Sequence, residues 1–240
     1  MKKALNKTTS VIVLASGLTL AGAAVGAAQT ADPKVYVDVN IAGQTQSNTV
    51  VTSSTFSLYG ETGGTSFSQT VGKGLVFDGG AGYFVLKNFA VGVAVSVFTR
   101  SPTANVSVAT PDPIAFNSFT VLSASPKLKQ TELGTHIKLA YLVPLNDKAQ
   151  ITISAGPSIV RLSKEIANGS VVNGTPQIAI ETQTGTGFGA HGGLDVSYLF
   201  TPRLGGGIFV RYLRAQVDLP AASGVKVGGF QGGLGVRLRF

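Results

Sequence analysis

The sequence predicts an all-β fold, a transmembrane antiparallel up-and-down β-barrel of eight strands. Three observations predict it. The charge content is low and no helical membrane span follows residue 28; apolar residues recur at every second position; and short turns alternate with long polar connections.

The N-terminus comes first. Lys2, Lys3 and Lys7 precede an uncharged run over residues 8–28 rich in Val, Leu, Ala and Gly. A basic start, a short apolar stretch and a small-residue exit describe a cleaved export signal. Gly26 and Ala28 occupy the small positions, so cleavage is expected after Ala28, leaving a barrel domain over 29–240. A retained anchor would need about 20 strongly apolar residues, more than this Gly/Ala-rich stretch offers.

Composition narrows the class. Charged residues make up 12% of the chain, against roughly 25% in soluble domains. Nineteen Lys and Arg stand against eleven Asp and Glu, and three of the lysines belong to the export signal. The remaining basic residues are scattered, without the block that marks a nucleic-acid surface, so no nucleic-acid partner is expected. With no cysteine there is no disulfide framework and no thiolate metal site. No metal or other cofactor is expected.

The strands follow in order. Val35, Val37, Val39 and Ile41 oppose Tyr36, Asp38 and Asn40; Phe89, Val91, Val93, Val95 and Val97 oppose small residues and Ser96. Leu133, Ile137, Leu139, Tyr141 and Val143 oppose His136 and Lys138. Over 187–200, Phe188, Ala190, Leu194, Val196, Tyr198 and Phe200 oppose His191, Asp195 and Ser197. Over 227–240, Phe230, Leu234, Val236, Leu238 and Phe240 oppose Gln231, Arg237, Arg239 and glycines. Such alternation places one set against lipid and the other in a lumen. Val236→Arg is therefore expected to cost more than Gly235→Ser. Two segments are less regular. Pro157 falls on the outward set of 149–161, which leaves the register beyond Gly156 open, and 204–217 places Phe209 and Leu213 inward beside Arg211.

Residues 86–88, 144–147 and 201–203 form short turns rich in Pro, Asn or Asp, while 45–72, 101–130, 163–184 and 218–225 are long or polar connections. Three hairpin turns join six strands, and a first and a last bring the total to eight. Ten would result if 116–125 and part of 48–60 also crossed; we read those stretches as hairpin extensions beyond the membrane. Tyr83, Phe89, Tyr141, Tyr198, Phe200 and Phe240 share outward parity near a short turn or the C-terminus, as an aromatic girdle would. Phe188 and Phe230 are candidates for the opposite girdle. Each is ten residues from an aromatic of the first girdle, a rise of roughly 25 Å on a tilted strand.

Inward parity gathers Asp38, Asp78 and Asp195 with Lys138, Arg211, Arg237 and Arg239, plus His136 and His191. An eight-stranded barrel is just wide enough for its own side chains, and unpaired charges inside it are costly. These residues are therefore expected to form a luminal plug. Asp38 on the first strand is expected to reach Arg237 or Arg239 on the last. The alternative is a narrow channel.

The chain ends Leu234-Gly235-Val236-Arg237-Leu238-Arg239-Phe240. An export signal, alternating strands and a terminal aromatic preceded by Leu234, Val236 and Leu238 at every second position resemble the small outer-membrane β-barrel superfamily that includes OmpA-like and OmpX-like proteins. The likeness covers residues 34–240. It implies residence in the cell outer membrane and contact with its lipid and lipopolysaccharide. It also implies delivery by periplasmic chaperones and insertion by the barrel-assembly machinery, which would read the C-terminal signal. No peptidoglycan-binding domain follows the barrel, and a monomer is expected.

A hydrolase is the third class. His191 and Asp195 share a face but lie about 13 Å apart along their strand, too far to act as a base and its orienting carboxylate. No catalytic residues are assigned, and an enzyme is not expected. Glycine-rich stretches at 79–82 and 185–189 lack the strand-then-helix context of a nucleotide loop. The expected function is a structural or surface-interaction barrel of the adhesion or envelope-integrity type, with specificity in the loops.

Overall fold

A computed structural model describes residues 34–45, 48–172, 174–220 and 222–240. The export signal and its cleavage point lie outside the described residues. The strands are β1 (Val35–Thr45), β2 (Asn48–Leu58), β3 (Glu61–Val71), β4 (Gly74–Leu86), β5 (Phe89–Arg100), β6 (Ala104–Pro111), β7 (Phe119–Ala124), β8 (Gln130–Pro144), β9 (Ala149–Val172), β10 (Thr175–Leu199), β11 (Leu204–Leu219) and β12 (Ala222–Arg239). Eight of them close a barrel in the order β1-β12-β11-β10-β9-β8-β5-β4, and β2-β3-β6-β7 form a separate sheet. Among the described residues, no helix is long and apolar enough to cross a membrane. Strands do the crossing.

Closure joins the first and last strands. Asp38 lies opposite Arg237 and Ile41 opposite Leu234. At the short-turn end the Val35 amide donates to the Phe240 carbonyl at 3.0 Å, and the Phe240 amide donates back at 2.9 Å. Every barrel strand therefore has two neighbours, and no barrel edge is left to pair with another chain. The β-branched residues Val91, Val93 and Val95 cover the outer wall of β5, while Ala90, Ala94 and Ser96 are buried behind them.

The polarity of the wall inverts partway up. Along β11 the outward residues Ile208, Val210 and Tyr212 give way to Arg214, Gln216 and Asp218, all exposed. On the inward side, Arg211 gives way to buried Leu213, Ala215, Val217 and Leu219. In β9, Ile159 outside is followed by Arg161, while Ser158 inside is followed by Val160 and Leu162. Below this line the outer wall is apolar and the inside polar; above it the arrangement is that of a water-soluble domain. The irregular pattern of 204–217 has this cause: the strand keeps period two but changes surroundings.

The upper interior holds an apolar cluster, with the Lys164 side chain buried on the same stretch of β9. Phe67 of β3 and Ala104 and Val106 of β6 pack with Leu162 and Ile166 of β9 and Val217 of β11. Two expectations change here, and the register around Pro157, left open by the sequence, is defined. Residues 163–184 are not a loop: β9 and β10 remain paired from Ser163↔Thr184 up to Val172↔Thr175. Residues 48–60 and 116–125 are neither crossing strands nor extensions of the barrel hairpins, because β2 and β7 pair only within the second sheet. Pro157 does not shift the register either. The β8–β9 ladder reads His136↔Ser158 and, beyond a gap of two rungs, Leu139↔Ala155 on the same alignment. The missing proline N–H interrupts pairing without adding a residue.

Candidate functional site

Below the apolar cap, the inward positions build one connected polar system. Arg211 donates from Nη1 to Asp78 at 2.8 Å and from Nε to Gln231 at 2.7 Å. Gln231 donates to Gln44 at 2.6 Å, Gln44 to Glu132 at 3.3 Å, and Gln130 to the other Glu132 oxygen at 2.8 Å. In the other direction, Asn40 donates to Asp78 at 2.9 Å and accepts from Arg237 at 2.6 Å, and Arg237 also pairs with Asp195. The chain of contacts crosses the lumen from β10 through β12, β1, β4 and β11 to β8. The buried charges of this network, Asp78, Arg211 and Glu132, each have an opposite charge or an amide within reach, which their burial demands.

The partner of Asp38 differs from the expected one. Asp38 and Arg237 are opposite on the closing ladder, yet Arg237 turns to Asp195 and Asn40, and Asp38 pairs with Lys138 at 3.5 Å. Arg239 reaches Gln150 and lies 6.0 Å above the Phe84 ring at the short-turn mouth. Tyr36 faces Phe84 with centroids 5.6 Å apart, and the Lys138 ammonium lies 5.5 Å from the Tyr36 ring centre.

The two histidines also meet. Ser96 and Ser158 lie 2.8 Å from the Nε2 and Nδ1 of His136, and Ser158 lies 2.9 Å from the Nδ1 of His191. Gly134 is required beside this chain, because a Cβ there would press on Ser96 Oγ at 2.7 Å and His136 Nε2 at 2.8 Å. Gly235 is equally confined: a Cβ would strike the Val39 carbonyl and the Asn40 amide. Gly235→Ser is therefore not the mild change that alternation alone suggests, because the first and last strands bring backbone against it.

Two adjoining cavities occupy the lower lumen and share Asp38, Lys138, Asp195 and Arg237. The upper one reaches His191 and Arg211, where Asp38 Oδ1 and Arg211 Nη2 are buried without a hydrogen-bond partner. Ala42, Val76 and Phe98, with Phe209 against them, close the space above. Among the described residues, no three His, Cys, Asp or Glu side chains are grouped to hold a metal ion.

On the outer wall, Tyr83, Tyr141, Tyr198, Phe200 and Phe240 are exposed near the short-turn end, and Phe89 is half-buried opposite Tyr141. Leu234 and Val236 are exposed and Leu238 is half-buried on the same face of β12. Asn40, Ser96 and Gln231 lie on the inward sets read from the sequence, whereas Gln44, Gln130 and Glu132 of the network and Ser158 between the histidines are found only in the structure. Their shared inward parity was the available signal.

Residues 12–237 match the model of the family described as the outer membrane protein beta-barrel domain. No curated protein matches the chain. Similar solved structures include Neisserial surface protein A, with 17% identity over 86% of this chain and 97% of that one at a TM-score of 0.46. The outer membrane protease OmpT from Escherichia coli has 10% identity over 85% and 97% at 0.44. The outer membrane protein OprG from Pseudomonas aeruginosa has 14% identity over 87% and 96% at 0.42. The alternating wall, the ring of eight strands and the family match lead to one conclusion: this chain belongs to the outer membrane protein β-barrel family and resides in the outer membrane.

Proposed function

We propose that the protein is a closed structural barrel that holds a rigid β-sheet platform at the cell surface for contact with other surfaces. The observation that supports this reading is what occupies the lumen. A continuous polar network fills its middle, and an apolar cluster that includes β3 and β6 of the second sheet fills its top. Ions would have to break buried ion pairs and then pass the apolar cluster, beside which the Lys164 side chain is buried on β9.

The platform supports a contact role. At the tip of the β6–β7 hairpin Ile114 is 94% and Phe116 81% exposed. The tip is held in shape from within, since the Asp112 carboxylate accepts from the Ile114 amide at 2.8 Å and the Ala115 amide at 3.1 Å. Glu61 accepts from the Asn117 amide at 2.7 Å and ties the tip to the neighbouring hairpin. Ordered apolar side chains exposed in this way suit recognition at low entropic cost.

Planar-bilayer recording tests the closed lumen. The folded protein is expected to give no stable unit conductance, and reproducible steps would overturn closure in favour of the narrow channel. For the contact role, cells displaying the protein should adhere to polystyrene more than cells displaying the Ile114→Ser, Phe116→Ser variant at equal surface level. Equal adhesion would remove the tip from the proposal.

A further inference from the structure

We propose that the lower lumen binds one small oxyanion that still carries a proton, of the dihydrogen phosphate or bicarbonate type, between Arg211 and Asp38. The inference goes beyond the closed-barrel reading, since the ion enters and leaves on the short-turn side and need not pass the apolar residues above.

The first observation is a pair of buried atoms with complementary needs. The Asp38 and Arg211 side chains are 6% and 9% exposed and line the same cavity. Arg211 uses Nη1 on Asp78 and Nε on Gln231, and its Nη2 donor has no partner. Asp38 accepts from Asn40 and Lys138 on Oδ2, at 3.3 and 3.5 Å, and its Oδ1 has no donor. That oxygen lies over Gly80, where a Cβ would come within 3.0 Å of it. The glycine therefore keeps the luminal approach to Oδ1 open. Asn40 Nδ2 donates to both Asp38 and Asp78, and Asp78 in turn holds Arg211. The free donor and the free acceptor thus belong to one fixed frame. Such buried groups cost free energy until a ligand satisfies them.

The second observation is the charge of the walls. Asp38, Asp78 and Asp195 face Lys138, Arg211, Arg237 and Arg239 across the two cavities, three carboxylates against four bases. One negative charge balances them. A ligand that accepts from a guanidinium, donates to a carboxylate and carries a single negative charge is an oxyanion with an acidic hydroxyl. Chloride and sulfate have no proton to offer Asp38 Oδ1, and an anion pressed against that oxygen without one is repelled. The lower cavity extends to Phe84, Gln150 and Arg239 at the short-turn mouth, which gives the ion its entry.

The test titrates the folded protein in neutral detergent with inorganic phosphate, bicarbonate, sulfate and glycine, by isothermal calorimetry and by the guanidinium NMR resonances. The wild type should bind phosphate or bicarbonate at one site, at least about tenfold more tightly than sulfate, with the Arg211 resonance moving. The tighter of the two identifies the ion. Arg211→Lys keeps a charge beside Asp78 but loses the second donor, and should weaken binding about tenfold. Asp38→Asn presents an amide N–H in place of the carboxylate and should admit sulfate nearly as well as phosphate. Arg214→Gln, exposed on the outer wall, should change nothing. Heat-modifiable gel mobility reports folding of each variant, and the wild-type preference for phosphate or bicarbonate over sulfate is itself a test if a variant folds poorly. Absence of saturable binding, equal binding of all the anions by the wild type, or a preference unchanged in Asp38→Asn would overturn the proposal. Displacement of phosphate by glycine would assign the site to a zwitterion and overturn the oxyanion. A conducting barrel with the expected selectivity would uphold the site while overturning closure.

Discussion

His136 of β8 and His191 of β10 meet edge to face inside the barrel, ring centroids 5.1 Å apart, with Ser158 of the intervening β9 bonded to the Nδ1 of both. A hydroxyl carries one proton. With two lone pairs beside it, Ser158 can donate to at most one of the two rings, so at least one histidine donates from Nδ1 to Ser158. In a neutral His136 ring one nitrogen donates and the other accepts, so the direction of its bond to Ser96 sets that of its bond to Ser158. Both rings are buried and adjoin three strands, which makes this chain a lock on the stagger of β8, β9 and β10.

Ser158→Ala should cost about 2–4 kcal/mol, because two buried ring nitrogens lose their partner at once and each unsatisfied group costs about 1–3 kcal/mol. Ser96→Ala removes a single bond and should cost about half as much. Urea midpoints for refolding into liposomes give the comparison. Equal costs would mean that Ser158 does not bridge the two rings.

This meeting was not legible in the sequence, and the reason is geometric. Period two places His136 and His191 in the lumen, but which luminal residues share a height depends on the stagger between strands, and that is set by closure of the whole ring. The same gap explains why Asp38 does not pair with Arg237 opposite it: cross-strand pairing fixes backbone proximity, whereas Asp195 and Asn40 compete for Arg237. The band itself was fully legible, because Val35 to Ile41 and Leu234 to Phe240 carry its alternation without ambiguity. Above the band the signal reversed. Thr52, Ser53, Ser54 and Thr55 of β2 and Ser163 to Gly185 of the β9–β10 hairpin resemble loops in composition, yet they form strands because their surroundings are water and a neighbouring sheet.

Arg211 and Asp78 test the central link of the network. Both are buried, and breaking such a pair from one side is expected to cost about 3–5 kcal/mol by leaving an uncompensated charge. Asp78→Leu alone and Arg211→Met alone should each destabilise by that order, whereas the double variant should recover a substantial part. A coupling energy near zero in the double-mutant cycle would show that the pair does not hold the lumen together.

Depth along the outer wall gives a separate prediction. Leu234 is exposed at mid-band on β12, and Leu234→Arg should cost about 2–4 kcal/mol, the value for a cation facing the bilayer midplane. Gln216→Arg, outward on β11 above Tyr212, should cost less than about 1 kcal/mol. Refolding stability in liposomes of defined thickness separates the two. If both substitutions cost the same, the membrane edge has been placed wrongly.

The apolar cap predicts the reverse ranking for neighbouring residues on one strand. Val217 is fully buried in the upper cluster, while Gln216 beside it points into water. Val217→Asn would bury an amide within the apolar cluster that also contains Phe67, Val106 and Leu162, at a cost of about 1–3 kcal/mol added to the lost apolar contact. Gln216→Asn should be nearly neutral. The difference should also appear as location: proteolysis of the folded protein from outside should cut Val217→Asn within the β2–β3 or β6–β7 hairpins, as the second sheet loosens from the barrel, while the transmembrane band stays protected. Unchanged proteolysis alongside lowered global stability would mean that cap and barrel unfold as one unit. That result would remove the distinction between a membrane wall and a water-soluble cap on which the inverted polarity of β9 and β11 depends.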